Sequence, residues 1–390
     1  MKKILAITGI RSDYDLMSAL YRRLQADPQA DLRLLVGGAH LSRTYGHSID
    51  QIRADGLQVL LAVESLIDSD TPSSRLKSAS ILLQGAIDAV ASWQPDAIVY
   101  AGDREEVWIG AMLGAYLEIP TVHFYGGDHT MSGYVDNPVR HAASKLSTYH
   151  LVAVEAHRQR LLRLGEPDER IRVVGNLSLD NFRAHRAIPR EQLQQRLGLP
   201  AALGDYALVM FHPDPVERDI APQVLGRMLD ALAAHGLGAV VGYPNSDPAN
   251  RGLVEAIEQR RDQPRFFAYR NLERDDFLSV YKNARLIIGN SSSGILEAAS
   301  VPLAAVDVGV RQRGRLAGAN VVFCDADRAA IDAAIARVLS PAFGAIVAQV
   351  VNPYGSGDAS ERAAQFLLHT DLRALRPKTE DPLVAGGRNP

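Results

Sequence analysis

Apolar residues along this chain fall into short uninterrupted runs, separated by longer stretches in which they recur at helical spacing. In the first half the runs Lys3–Thr8, Leu32–Gly37, Ala97–Tyr100, Thr121–Tyr125 and His150–Val154 predict strands. The stretches Leu16–Gln25, Ser80–Trp93 and Glu106–Leu117 predict helices between them. In the second half Tyr206–Phe211, Gly238–Tyr243, Phe266–Ala268, Leu286–Gly289 and Leu303–Val306 repeat the alternation. Continuous runs suit strands buried on both faces, and strands alternating with helices predict parallel sheets covered on either side. The chain therefore reads as α/β, with two doubly wound, Rossmann-like domains facing a cleft. Val173–Pro200 carries the chain from one half to the other, so the domains are expected at 1–172 and 173–372. The final helix is able to pack back on the first domain, and 373–390, rich in Pro, Gly and charge, reads as a flexible tail.

Composition narrows the classes of function. The 390 residues are 47% hydrophobic and 22% charged, enough apolar material for two or three cores and too much for a disordered chain. Forty-two Lys and Arg against 45 Asp and Glu leave a net charge of −3, with no general attraction for nucleic acid or an anionic membrane. Any recognition of phosphate must come from locally placed groups. A single cysteine, Cys324, makes neither an internal disulfide nor a multi-cysteine zinc site. Met1-Lys2-Lys3 before an apolar run imitates a signal peptide, but Gly9 and Arg11-Ser12-Asp13 break the run too early, and a first buried strand is the better reading. A cytosolic protein is expected.

In doubly wound folds ligands bind beyond the carboxyl ends of the strands, and unusual polar residues follow the predicted strands repeatedly. Gly289-Asn290-Ser291-Ser292-Ser293-Gly294 lies between a strand and a helix, where small residues and the amides of a first turn suit an anion. Glu297 stands one helical turn after Ser293, placed to accept from a ribose diol. One serine there would be an ordinary N-cap, but three in a row between glycines favour phosphate binding. His212 and Asn245 follow the first two strands of that half; His212 alone is equally a loop histidine bonded to backbone, and Asn245 alone is a plain turn residue. The run Arg311-Gln312-Arg313-Gly314-Arg315 suits a diphosphate, with a solvated basic loop as the alternative. In the first half Arg11 follows the first strand. Asp103 and Asp128 follow later ones, and Asp136 precedes Arg140-His141. Three gathered carboxylates shift one another's ionisation, so that one acts as base and another as acid, although singly each is a surface Asp. Gly236-Leu237-Gly238 runs from helix to strand, the wrong order for a dinucleotide site, and the histidines fit no compact ligand spacing. Neither metal nor cofactor is expected.

Together these residues resemble the hydrolysing UDP-N-acetylglucosamine 2-epimerases of sialic-acid and related nonulosonic-acid synthesis. The resemblance covers nearly the whole chain. It runs through Gly9-Ile10-Arg11-Ser12-Asp13, Gly38-Ala39-His40-Leu41, Gly102-Asp103-Arg104, His123 to Asp128, Arg140-His141, His212-Pro213, Pro244-Asn245-Ser246-Asp247, Asn290 to Gly294, and Arg311 to Arg315. It implies a glycosyltransferase-B-like architecture, a homodimer, a UDP-sugar substrate, and elimination of UDP followed by hydration to the free 2-epimer. By the same resemblance Asp103, Asp128 and Asp136 form the acid–base set. Arg11, His212, Asn245, Ser291, Ser292, Ser293, Gly294, Glu297 and Arg313 hold the nucleotide. Two departures from the family pattern stand out. Asp128 occupies a position usually Glu, and Asp136-Asn137 one usually Asp-Glu, which makes a modified hexose such as a 2,4-diacetamido-trideoxy sugar, or a different nucleotide, plausible. The rival readings are a non-hydrolysing epimerase, a transferase of the same architecture, and a nucleotide-sugar sensor without turnover.

Overall fold

The structure, a computed structural model, describes residues 1–69, 71–131, 135–214, 216–244, 250–376 and 378–381. The chain forms two compact units. The first takes Met1–His129, Val135–Asn181 and Tyr354–Pro390, and the second Thr130–Tyr134 and Phe182–Pro353.

Unit 1 holds the strands β1 (Lys2–Thr8), β2 (Ala30–Val36), β3 (Gln58–Ala62), β4 (Ala97–Ala101), β5 (Thr121–Phe124), β6 (Tyr149–Val152) and β7 (Ile171–Val173). They pair in the order β3-β2-β1-β4-β5-β6-β7, all parallel. Unit 2 holds β8 (Tyr206–Met210), β9 (Gly238–Gly242), β10 (Phe266–Tyr269), β11 (Leu286–Gly289), β12 (Ala305–Val308) and β13 (Val321–Cys324). Their order is β10-β9-β8-β11-β12-β13, again all parallel. Each sheet is thus doubly wound and reverses direction once, between β1 and β4 in unit 1 and between β8 and β11 in unit 2. That reversal is where a crevice opens for a ligand.

Both faces of each sheet are buried, which is why the strands read as continuous apolar runs. Along β8, Ala207 and Val209 join one core with Val224, Leu225 and Met228, while Tyr206 and Leu208 join the opposite core with Leu193 and Tyr281. Each fully buried aliphatic side chain contributes roughly 1.5–3 kcal/mol. Three strands escaped the sequence reading: β3, β7 and β13. All lie at sheet edges, where one side faces solvent and the apolar run is diluted; in β7 only Ile171 is buried.

The division of the chain differs from the sequence expectation. The cut comes between Asn181 and Phe182 instead of between 172 and 173, because Leu177, Leu179 and Asn181 are buried and Asn181 donates to Ser18 Oγ at 3.0 Å. The chain from Tyr354 onward belongs to unit 1. Lys2 donates to the carbonyls of Leu367, Leu368 and Thr370 at the end of the helix Ala359–His369, at 2.6–3.0 Å. The described part of the expected flexible tail is also tied down. Arg170, 1% exposed, donates to the carbonyl of Leu375 at 2.7 Å and to Glu380 at 2.8 Å. Lys378 donates to the carbonyls of Lys145 and Ser147 at 3.0 and 2.9 Å, and at 2.5 Å to Glu166, itself buried against His150. Burial alone would raise the Glu166 carboxyl, but His150, Lys378 and Lys145 pull it down to about 2. Among the described residues no single helix is long and apolar enough to cross a membrane.

Candidate active site

In unit 1 the candidate residues stand on or beside the loops that follow β1, β4 and β5. After β1 the chain turns at Gly9, where a Cβ would fall 1.8 Å from Glu106 Oε1. Asp13 closes the turn, accepting from the amides of Gly9 and Ile10 at 3.1 and 3.4 Å and from Thr8 Oγ1 at 2.5 Å. Asp13, the third residue of the helix, is thus the acidic member of a capping box whose N-cap is Ile10. Arg11, the first residue of the helix Arg11–Ala26, lies 3.4 Å from Asp15. After β4, Gly102 adopts φ +91° and delivers Asp103. His123, fully buried in β5, holds that turn through Nε2 at 2.9 Å from the Gly102 carbonyl, with Nδ1 3.0 Å from Ser144 Oγ. Burial holds the imidazole down to about 3, so it is neutral, and Nε2 carries the proton that the carbonyl requires.

After β5, Tyr125 and Gly127 both take positive φ, +63° and +73°, and turn Asp128 inward to 6% exposure. The residue that unites these loops is Arg140, 2% exposed on the helix Asp136–Leu146. One guanidinium nitrogen donates to the Asp103 carboxylate. Another donates to the Asp128 carbonyl at 3.0 Å and to Asn137 Oδ1 at 3.1 Å. Asp136 opens the same helix one turn ahead of Arg140, half-buried. The His129 and His141 rings lie parallel with centroids 6.1 Å apart, and burial together with Arg140 lowers the His141 pKa. Buried Arg140 thus ties the loop of Asp103, through its carboxylate, to the loop of Asp128, through its backbone carbonyl.

In unit 2 the corresponding loops follow β8 and β11. The Asn290 side chain, fully buried, joins them: its Oδ1 accepts the His212 amide at 2.8 Å and its Nδ2 donates to the His212 carbonyl at 2.8 Å. Gly289 at φ +145° permits this approach, since a Cβ would stand 2.0 Å from the Met210 carbonyl oxygen. Ser291 caps the short helix Ser292–Leu296. Ser291 and Ser292 are half-buried at the opening of that turn, whereas Ser293 points inward and donates its hydroxyl to the Glu297 carboxylate. Gly294 has room for a methyl group, the nearest atom being 3.7 Å away, so closeness of packing does not require glycine there. Of the arginines, Arg311 reaches the Asn290 carbonyl at 2.9 Å beside Gln312, also at 2.9 Å. Arg313 instead pairs with Asp325 at 2.6 Å and the Gly309 carbonyl at 3.1 Å. At the end of β12 Asp307 is buried, and burial pushes its carboxyl up to about 8.

The structure thus brings Asp103 and Asp128 together, sets Asp136 one turn from their shared arginine, and gathers His212, Ser291, Ser292, Ser293, Gly294 and Glu297 in unit 2. Asn245 lies outside the described residues. Arg313 pairs with exposed Asp325, whereas Arg311 donates to the Asn290 carbonyl beside the serine turn. Sequence reasoning also passed over Arg140 and Asn290 as site residues. Both stood inside quoted motifs, but a buried arginine and a buried asparagine declare themselves only through the loops they join.

A sequence profile described as UDP-N-acetylglucosamine 2-epimerase matches residues 22–368. A UDP-N,N'-diacetylbacillosamine 2-epimerase (hydrolyzing) of Legionella pneumophila is 35% identical over 376 residues, 95% of this chain and 98% of that protein. A UDP-N-acetylglucosamine 2-epimerase of Neisseria meningitidis is 31% identical over 340 residues, 87% of this chain and 88% of its own. Among solved structures, that of a UDP-GlcNAc 2-epimerase from Neisseria meningitidis bound to UDP-GlcNAc superposes with a TM-score of 0.81 at 17% identity, covering 94% of this chain and all of the other. That likeness fixes the fold as glycosyltransferase-B-like.

Proposed function

The chain belongs to the UDP-N-acetylglucosamine 2-epimerase family, and on that premise we propose that it is a hydrolysing member acting on a UDP-linked 2-acetamido sugar. The observation that carries the reading is buried Arg140, which donates to the Asp103 carboxylate and to the backbone carbonyl of Asp128 and so holds the two strand-end loops side by side. The 35% identity to a hydrolysing diacetylbacillosamine epimerase supports it and favours a 2,4-diacetamido-trideoxy sugar over N-acetylglucosamine.

A carboxylate of the Asp103, Asp128, Asp136 set takes the C2 proton. The C2–H electron pair becomes the C1=C2 double bond, and the anomeric C–O pair leaves with UDP, giving a glycal. His212, Ser291 and Ser292 stabilise the charge growing on the departing diphosphate, and Glu297 accepts from the ribose. Water then adds its hydroxyl to C1, and a proton reaches C2 on the opposite face, releasing the free 2-epimer. The test traces atoms. In heavy water the free sugar should carry deuterium at C2 with inverted configuration, and oxygen-18 placed in the anomeric bridge should leave wholly with UDP. A product that keeps its C2 hydrogen would mark a transferase idling as a hydrolase, and deuterium in a sugar still bearing UDP would mark a non-hydrolysing epimerase. Either result overturns the proposal.

A further inference from the structure

Behind Asp128 stands a second titratable group. Asp128 Oδ1 accepts the amide of His129 at 2.7 Å and lies 3.3 Å from Nε2 of His157, on the first turn of the helix Glu155–Arg163. Both side chains are buried, at 9% and 3% exposure. Backbone contacts fix this approach. A Cβ on Gly127 would stand 2.3 Å from the His157 carbonyl oxygen, and Arg160, one turn along, donates to the Gly127 carbonyl at 3.0 Å. The helix is therefore docked against the turn that presents Asp128, and the imidazole has little freedom to look elsewhere.

The tautomer follows from the ring's other nitrogen. His157 Nδ1 is buried and has no hydrogen-bond partner among the described residues. A proton on Nδ1 would leave a donor unsatisfied there and set the bare Nε2 lone pair against a carboxylate oxygen. A proton on Nε2 donates to Asp128 and leaves only an acceptor unmet, the smaller cost. We propose that His157 is a positioning residue for Asp128: its Nε2–H holds Oδ1 inward, fixes the carboxylate rotamer and favours the ionised form that takes a proton. The proposal rests on the reading of Asp128 as an acid–base residue. A position five residues after the β6 end and well away in sequence from the three aspartates thereby joins the machinery of the site.

The test compares His157→Phe, which keeps a ring but removes the donor, with His157→Gln, whose amide can donate in its place. The first readout needs no substrate. Protein labelled with carbon-13 at Asp carboxyls is titrated by NMR, with the Asp128 signal identified by its loss in Asp128→Asn. The other charged groups about Asp128 (Asp136, Arg140 and His141 on one helix, Arg160 on the other, His129 in the loop, and Asp103 across Arg140) are unchanged in both variants. Loss of a donor to a carboxylate should raise its titration midpoint by about one pH unit in His157→Phe, with most of the shift restored in His157→Gln. With a UDP-sugar that turns over, the acidic limb of the kcat profile should move by the same amount, and kcat should fall about tenfold while KM stays within about twofold. An unmoved midpoint in His157→Phe, or a glutamine variant as impaired as the phenylalanine one, would overturn the proposal. His157→Leu serves the same comparison if the phenylalanine variant does not fold. A shifted midpoint in a protein that epimerises none of the sugars would instead refute the catalytic reading and leave the pair standing.

Discussion

Burial keeps two carboxyl groups protonated near neutral pH, Asp307 at about 8 and Glu106 at about 7. Such groups weaken a fold as pH rises. The unfolded chain releases their protons near pH 4, whereas the folded chain must hold them or bury a charge. Stability assigned to Asp307 is therefore intact below about pH 4 and falls progressively up to about pH 8. Asparagine copies the protonated form without the titration. Asp307→Asn should leave Tm nearly unchanged at pH 4.5 and stabilise the protein by on the order of 2 kcal/mol at pH 8.5, read by calorimetry at both values. An equal difference at the two pH values would show that Asp307 does not titrate there. Nothing in the sequence flags this residue, since an Asp at a strand end is ordinarily a solvated one. The same holds for Arg140 and Arg311. The motifs brought the right segments forward, but which arginine turns inward depends on neighbours more than 20 residues away, such as Asn290, which is 21 residues from Arg311. Asp103 and Asp128 could be singled out as candidates because they stand two and four residues beyond the ends of buried strands, at the edge where such folds bind ligands.

At the scale of one element, the serine turn divides its labour. Ser293 is directed at Glu297, so its hydroxyl orients that carboxylate rather than meeting solvent. Ser292→Ala and Glu297→Ala should each weaken UDP binding by about 1–2 kcal/mol in calorimetry, the range for a hydrogen bond with one charged partner. Arg313→Ala should bind UDP nearly as the unchanged protein does, because its guanidinium is engaged with Asp325, whereas Arg311→Ala should lose affinity along with the serine variants. A larger loss from Arg313→Ala than from Arg311→Ala would reverse the assignment made from these contacts. Central strands were readable because burial on both faces writes an unbroken apolar run. β3, with no fully buried residue, and β13, alternating exposed and buried, left no such run.

Across the whole molecule, unit 1 is held together by groups far apart in the chain. Lys378 satisfies carbonyls at the end of the helix that begins at Asp136, and it neutralises buried Glu166. Lys378→Met leaves Glu166 with Lys145 and His150 only, and should cost on the order of 2 kcal/mol at pH 7. The folded Glu166 carboxyl is depressed, so its contribution is complete above about pH 5 and disappears as pH falls towards 2. The gap in Tm between the variant and the unchanged protein should narrow on the same path, and a gap independent of pH would assign the loss to packing alone. Lys2 and Leu367, bonded at 2.9 Å, are separated by 365 residues, with the whole of 182–353 in between. During synthesis a ribosome that has delivered Asn181 has released all seven strands of the first sheet, yet neither the helix Ala359–His369 nor the segment that binds Arg170 and Glu166 has been made. Residues 182–353 are fully translated before those pieces emerge, so the unit begun first is the one completed last.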